Sequence, residues 1–399
     1  MTDAKPKTNV VVVGGGFGGV RAARGLARQP GVSVTLISSH THFAYYPQLY
    51  HAATGGVRSE AALRLGELLA GVPVRLVHDT ATTFDPEART VTTASGTVYP
   101  YDELVLALGS VTNYFGIEGL QEFSYDIKTI DGAERFKRHL HDQLIAEQRP
   151  ELHYVIVGGG PTGIELAAAL SQYVGQIVAQ HGVRRPKYQV DLVEGAPRLL
   201  PRLPEAFARR IQRQLERLGV RVMTGAVVEA ETAETLRLKG QSITSHTVVW
   251  TAGVSNNPFF ADNAAHFNLA KNHRVEVNEQ LEARPHVYVI GDNANTQYAG
   301  LAQTALDNAD FVVADVARKR RRVARSAYRP KAPITVIPVG TGWAAVQWGG
   351  LQLFGYVGWI LRRLADLVGY ADVESWPRAL GVWLRDGRHE DQCAICDHT

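Results

Sequence analysis

At 399 residues, 45% hydrophobic and 20% charged, the chain is long enough for two or three buried cores and is composed like an ordinary globular protein. Its 42 basic and 39 acidic residues leave a formal charge of +3, too small to argue by itself for a nucleic-acid partner. Two cysteines, Cys393 and Cys396, exclude a disulfide framework and fit a reducing compartment, and the polar stretch 1–9 has no signal-peptide core.

Residues 10–13, all valine, predict a buried parallel strand. The loop Gly14-Gly15-Gly16-Phe17-Gly18-Gly19 follows, then a helix over 20–29 and a strand over 32–37, which together make a βαβ unit. Strand-like runs come at 75–77, 90–93 and 103–107. The first pattern then recurs: a strand at 154–157, the loop Gly158-Gly159-Gly160-Pro161-Thr162-Gly163, a helix over 164–173 and a strand over 189–193. The two loops start 144 residues apart, from Gly14 to Gly158, which marks a duplicated unit rather than a solenoid repeat. Strands at 248–251 and 287–290 complete the pattern. The expected fold is α/β, with two Rossmann-like dinucleotide-binding domains, the second inserted in the first. The boundaries are 1–116 and 254–330 for the first domain, 117–253 for the second, and 331–399 for a C-terminal region and tail.

From Ile334 the composition turns aromatic and glycine-rich. Residues 343–361 are nearly charge-free, but four glycines and two glutamines argue against a membrane span. The reading is a strand over 344–348, a turn at Gly349-Gly350 and a helix over 351–368. On that helix Leu353, Phe354, Val357, Ile360, Leu361, Leu364 and Val368 share one face, and Arg362, Arg363 and Asp366 lie toward the other. Ser375 is placed to cap a second amphipathic helix carrying Trp376, Leu380, Trp383 and Leu384. Such helices suit either a bilayer surface or a buried core.

A G-x-G-x-x-G loop between strand and helix lets backbone amides reach a pyrophosphate at the helix N-terminus. Gly14, Gly16 and Gly19 form one such set, and Gly158, Gly160 and Gly163 the other. A carboxylate ending the next strand grips an adenosine ribose and repels a 2′-phosphate, and Glu194 supplies it in the second unit, favouring NADH. The first unit has Ser38 there, with Ser39 and His40 following; serine offers hydrogen bonds without charge.

Four blocks carry a family resemblance: residues 41–55 (THFAYYPQLYHAATG), 107–117 (ALGSVTNYFGI), 158–166 (GGGPTGIEL) and 301–305 (LAQTA). In combination they resemble type II NADH dehydrogenases, of the two-dinucleotide flavoprotein superfamily. The resemblance implies FAD, NADH as co-substrate, a membrane quinone as acceptor and no proton pumping. It further implies a peripheral position on the cytoplasmic face of the cell inner membrane, anchored by C-terminal helices; dimers occur in the family, so a homodimer is open.

Residue by residue, it assigns Gly14, Gly16, Phe17, Gly19, Ser38, Ser39, Gly109, Gly291, Asp292, Ala302 and Gln303 to FAD. Gly158, Gly160, Pro161, Thr162, Gly163, Glu194, Ala252 and Gly253 go to NADH. Tyr46, Pro47, Gln303 and Asp307 go to the quinone. Glu165 and Gln303 are the candidate catalytic residues, Glu165 through a proton relay, although a carboxylate in a first helical turn also has a structural reading. The family carries a further glutamine where Asp307 and Asn308 stand here, so the acceptor's surroundings depart from its pattern. Tyr45, Tyr46 and Pro47 read equally as core aromatics.

A sulfide-oxidising relative is excluded by the lack of any cysteine before Cys393. A reductase of a small redox protein, or a slow flavin- and NADH-binding signalling protein, stays open. The basic run 318–322 with Arg325 reads as a solvated helix end, or as a contact with anionic lipid, with no nucleic-acid motif beside it. No metal site is expected; His389, Cys393, Cys396 and His398 read as a mobile tail.

Overall fold

The computed structural model describes residues 7–147, 151–180, 188–374 and 376–386. The tail cysteines and histidines and Ser375 lie outside the described residues.

The fold is α/β with two Rossmann-like sheets. Strands β1 (Thr8–Val13), β2 (Val32–Ser38), β3 (Val74–His78) and β4 (Glu103–Leu106) pair in parallel in the order β4-β1-β2-β3, with α1 (Phe17–Ala27) linking β1 to β2. All four valines of β1 are buried, as a strand covered on both faces requires. The chain leaves this sheet through β5 (Ser110–Thr112). It then builds a second, wholly parallel sheet from β6 (His153–Val157), β7 (Gln189–Glu194), β8 (Val220–Thr224) and β9 (Thr247–Trp250), in the order β8-β7-β6-β9, with α2 (Pro161–Gln180) following β6. It returns through β10 (Val254–Asn256), which pairs antiparallel with β5. The outgoing and incoming strands thus form one two-stranded link. β11 (Glu282–Arg284) and β12 (Val287–Val289) then extend the first sheet, β12 lying parallel to β4.

The 20-residue helix α3 (Ala302–Arg321) packs across α1. Its basic end faces away from the cavity described below, by about 30 Å at 1.5 Å per residue. That end is occupied by internal bonds: Lys319 reaches Glu103 at 2.8 Å and Glu282 at 3.2 Å, Arg325 holds Asp315, and Arg320 donates to the Pro30 carbonyl. Arg320, Arg321 and Arg322 are nonetheless exposed, which fits a solvated helix end.

The C-terminal region differs from the expected one. β13 (Thr335–Pro338), β14 (Ala344–Trp348) and β15 (Leu351–Gly355) form an antiparallel sheet, with Trp348 paired to Leu351 across the two-residue Gly349-Gly350 turn. Leu353 and Phe354 are therefore strand residues, and the helix α4 (Tyr356–Val373) begins five residues later than the periodicity predicted. The reason is local: the hairpin turn commits the residues after it to the ladder, and Gly355, at φ +78, supplies the bend into the helix. The sheet packs on the second unit through Ile337, Val339 and Ala345, while Tyr370 and Val373 of α4 pack on the first. A shorter helix, α5 (Trp376–Asp386), follows; Trp383 Nε1 donates to the Arg363 carbonyl at 2.6 Å.

The second surprise is which face of α4 is buried. Arg362, Asp366 and Tyr370 point inward, whereas Val357, Ile360, Leu364 and Val368 are exposed, as are Trp376, Leu380 and Leu384 of α5. The helix turns its charged side to the protein and its apolar side to the surroundings. No helix among the described residues is long and apolar enough to cross a membrane.

Gly358 lets α4 lie against β14: a Cβ there would fall 2.2 Å from the Ala344 carbonyl oxygen, which as backbone cannot swing aside. Gly358→Ala is expected to push the helix off the strand and cost about 1–3 kcal/mol, as overpacking does. An unchanged melting temperature in thermal unfolding would contradict this packing.

Candidate functional site

The two glycine loops are built alike. Gly14 has φ +112, and a Cβ on it would fall 2.2 Å from the Ala107 carbonyl oxygen; Gly158 has φ +122, and a Cβ on it would fall 2.7 Å from Thr251 Oγ1 and 2.9 Å from the Ala252 backbone nitrogen. A Cβ on Gly19 would fall 1.8 Å from the Gly14 oxygen, and one on Gly163 would fall 1.9 Å from the Gly158 oxygen, so the helix can close on the strand only over glycine. Gly16 and Gly160 meet nothing: each faces open space, where a pyrophosphate would approach. No side chain caps α1 at Gly16, so its first-turn N–H groups stay available.

The middle glycines distinguish the loops. Gly15 stands over Ser38 and Gly159 over Glu194. Both oxygens of Glu194 accept backbone N–H bonds, from Gly159 at 2.6 Å and Ala196 at 2.7 Å, which fixes the carboxylate at the strand end. Ser38 donates instead to the His40 carbonyl at 2.8 Å. The carboxylate missing at this position is supplied nearby by Asp79, just beyond β3, which lines the same cavity as Ser38. Bonds from Ser95 and Thr93 hold Asp79 down to about 2.

A cavity of about 1440 Å³ runs from the first loop to the inner side of α4. Typical small-molecule pockets hold roughly 300–1,000 Å³, so it has room for more than one ligand. Gly14, Gly16, Phe17, Ser38 and Ser39 line one end. Tyr46, Pro47, Gly109, Gly291, Asp292, Ala302 and Gln303 follow, and Thr162, Glu165, Thr251 and Gly253 enter from the second unit. Gly158, Gly160, Pro161, Gly163, Glu194 and Ala252 are not among the residues that line it. Beside Asp292, Asn293 is fully buried and fixes Gly109 by bonds to its N–H and its carbonyl, while Ser110 donates to Asp292 at 2.6 Å.

Where the two units and α4 meet, three charged groups cluster. Arg362 Nε bonds Asp366 at 2.7 Å, its Nη2 bonds the Pro47 carbonyl at 2.9 Å, and its Nη1 stands 3.8 Å from Glu165. Burial pushes the Glu165 carboxyl up to about 8; Arg362 opposes the rise and Asp366 adds to it. Because Asp366 holds the guanidinium directly, Glu165 receives only its distant attraction.

Two expected acceptor residues are held by other bonds. Gln303 lines the cavity, but its amide is already paired with the Ile334 backbone, accepting at 3.1 Å and donating at 3.3 Å. Asp307 does not face the cavity: one helical turn beyond Gln303, it accepts from Tyr328 at 3.0 Å and pairs with Lys331. Asn308 is buried beside Gly291, whose N–H it accepts at 3.0 Å. Asp307 is thus held by structural bonds, and Asn308 by its amide oxygen. Sequence reasoning missed Asp79, Lys128 and the inward role of Arg362 and Asp366. Lys128 lines the cavity with Nζ 4.6 Å from the Tyr46 ring centre and 4.0 Å from Asp292; burial lowers its pKa and Asp292 raises it. No motif marks it. Arg362 and Asp366, four apart on a helix, were visible as a pair, but not as a buried one.

Residues 8–309 match the family model for pyridine nucleotide-disulphide oxidoreductases. The type II NADH:quinone oxidoreductase NdhA of Mycobacterium tuberculosis is 29% identical over 97% of this chain and 89% of its own length. The demethylphylloquinone reductase NdbB of Synechocystis is 28% identical, covering 97% and 99%. Among solved structures, NDH2 of Plasmodium falciparum in complex with NADH superposes with a TM-score of 0.85 at 17% identity, covering 95% of this chain and 97% of that one. With three quarters of its length inside the family model and a shared fold from end to end, this chain belongs to the pyridine nucleotide-disulphide oxidoreductase family.

Proposed function

We propose that this protein oxidises NADH and reduces a membrane quinone, with FAD as resident cofactor and without proton pumping, while lying on the cytoplasmic surface of the cell inner membrane. The observation that carries this reading is the single cavity joining the first glycine loop, the second unit and the inner side of α4. Its lining includes Leu301, Ile334, Trp348, Leu364 and Val368, which are also exposed apolar residues, so it opens onto the apolar face of the C-terminal region. A lipid-borne acceptor can enter there without crossing water.

The residues present fit FAD. Gly14, Gly16 and the uncapped start of α1 would hold its pyrophosphate, Ser38, Ser39 and Asp79 its adenosine, and Asp292 its sugar chain. When bound, FAD supplies the redox chemistry, taking up a hydride and giving up two electrons. Gly158, Gly160, Pro161 and Gly163 would hold NADH, with Thr162, Ala252 and Gly253 alongside. Fixed by two backbone N–H groups, the Glu194 carboxylate would bind the ribose hydroxyls and repel a 2′-phosphate. Glu165, largely neutral at pH 7, keeps a proton on its carboxyl oxygen for an acceptor whose reduction consumes protons. Arg362 cannot deprotonate and serves to orient Glu165 and Pro47. Tyr46, Pro47 and Gln303 would line the acceptor's approach. Relatives named for quinone reduction support this acceptor.

The decisive experiment mixes the purified yellow protein anaerobically with NADH and follows flavin bleaching. A quinone or a small redox protein is then added. Return of the colour with the redox protein alone would overturn the quinone reading, and no bleaching at all would favour a binding role.

Gln303→Leu breaks the two bonds to Ile334 beside the cavity. It should slow reoxidation by quinone and leave reduction by NADH nearly intact in stopped-flow traces; unchanged quinone turnover refutes it. Glu165 is protonated below about pH 8 and ionised above it. Quinone turnover should accordingly fall as pH rises through 8, and Glu165→Gln should lose this break and run about 10²-fold slower, a typical acid–base contribution. A variant that keeps the wild-type pH profile excludes Glu165 as the donor. Leu364→Glu with Val368→Glu should weaken co-sedimentation with liposomes at least tenfold, since burying one leucine is worth about 1.5–3 kcal/mol. Unaltered liposome binding would show that another surface docks.

A further inference from the structure

Hydride uptake leaves a negative charge on a flavin, so a site that holds one through turnover must answer a charge that comes and goes. Three side chains that carry full positive charge line the cavity: Arg58, Lys128 and Arg362. Arg58 bonds Glu134 at 2.9 Å, and Arg362 is held by Asp366 and Pro47. Lys128 differs. Its side chain is three-quarters buried, yet the closest carboxylate oxygen, on Asp292, lies 4.0 Å away, beyond hydrogen-bond length, and is already taken by Ser110. Its other neighbour is the face of Tyr46, a cation–π contact that leaves all three N–H groups of the ammonium without an acceptor among the described residues. A buried ammonium is costly unless something accepts from it.

We infer that Lys128 is the residue that balances the negative charge of the reduced flavin, setting the cofactor's potential rather than its affinity. This rests on the reading of the cavity as a flavin site. The geometry suits the role. Asp292 favours the charged ammonium but is too far to neutralise it by contact, and Tyr46 offers it only a ring face. Lys128 is fixed by its own backbone, whose N–H donates to Asp126 at 3.1 Å, so the chain that carries it is anchored just before the helix Ile130–His141. The balance is simple: NADH loses a hydride and becomes NAD⁺, the flavin gains that hydride and one negative charge, and no proton need reach Lys128. Removing the ammonium raises the energy of the reduced form and leaves the neutral oxidised ring little affected.

The test is the midpoint potential of the bound flavin, measured by anaerobic dye-linked titration in wild-type protein and in Lys128→Met, Lys128→Gln and Lys128→Arg. The neutral variants should hold FAD at the wild-type stoichiometry. Their flavins should be at least tenfold harder to reduce, a shift of about 30 mV to more negative potential for a two-electron couple. Lys128→Arg should stay close to wild type. Neutral variants that hold FAD at the wild-type potential would overturn the inference. So would neutral variants that fail to retain FAD where Lys128→Arg retains it, since the charge would then serve binding of the oxidised cofactor. If the arginine variant shifts as far as the neutral ones, shape and not charge is at work, which also overturns it. Wild-type protein purified without any flavin would instead sink the flavin reading itself, before Lys128 is tested.

Discussion

A guanidinium with almost no water around it must find its acceptors in the protein, and the C-terminal half of the site is arranged around that demand by Arg362. Its partners come from three places in the chain: Asp366 one turn along the same helix, the Pro47 carbonyl and the Glu165 carboxyl. To satisfy it, α4 must turn its charged stripe inward. The apolar stripe of Val357, Ile360, Leu364 and Val368 is then left outside, where water would penalise it and a lipid surface would not. One buried cation thus links the Glu165 carboxyl at the cavity to the exposed apolar face of α4.

The two glycine loops show how much of a cofactor site is backbone geometry. Within each, the first glycine allows a positive φ beside a neighbouring strand, the last lets the helix close on that turn, and the middle one leaves a gap. These three demands are met by glycines at the same spacing 144 residues apart. What separates the loops is the side chain under the second glycine, Ser38 or Glu194, and what surrounds each. The first loop opens into the large cavity; the second rests on a carboxylate held by two N–H groups. The expected inequality of the loops is therefore visible as different surroundings for the same turn.

The strands, loops and inserted order were legible because they rest on local patterns: valine runs, glycine spacing, a Gly-Asp turn. The direction of α4 was not. Periodicity tells that a helix has two faces, and the usual assumption sends the apolar one inward; here Arg362 and Asp366 satisfy each other and reverse it. The start of α4 was misjudged for a related reason. Leu351, Leu353 and Phe354 carry apolar residues that suit either a strand or a helix, and pairing with β14, a contact at longer range, decides between them. Asp307 shows a third kind of limit: its distance along α3 from Gln303 was clear, but the turn of the helix aims it at Tyr328 and Lys331. Lys128 lies in a segment with no motif, and Asp79 in a plain turn. Only the fold brings them to the cavity.

On the proposed function, the charges around the cavity also divide the chemical work. Reduction by a hydride adds charge without a free proton, whereas reducing a quinone to its diol consumes two protons. The first needs a cation that does not titrate through the cycle, and the second needs an acid that does. Lys128 stands beside Asp292, on the side of the cavity that α3 and the first sheet define. Glu165 stands between the second unit and α4, next to an arginine that cannot give up its proton. Since Asp366 holds that arginine, Glu165 feels burial more strongly than attraction and keeps its own proton at neutral pH. Arg362 lowers the Glu165 pKa and Asp366 raises it, and both effects are smaller than that of burial. The Arg362–Asp366 pair therefore does more than anchor a helix: it fixes the guanidinium that faces Glu165 beside the cavity.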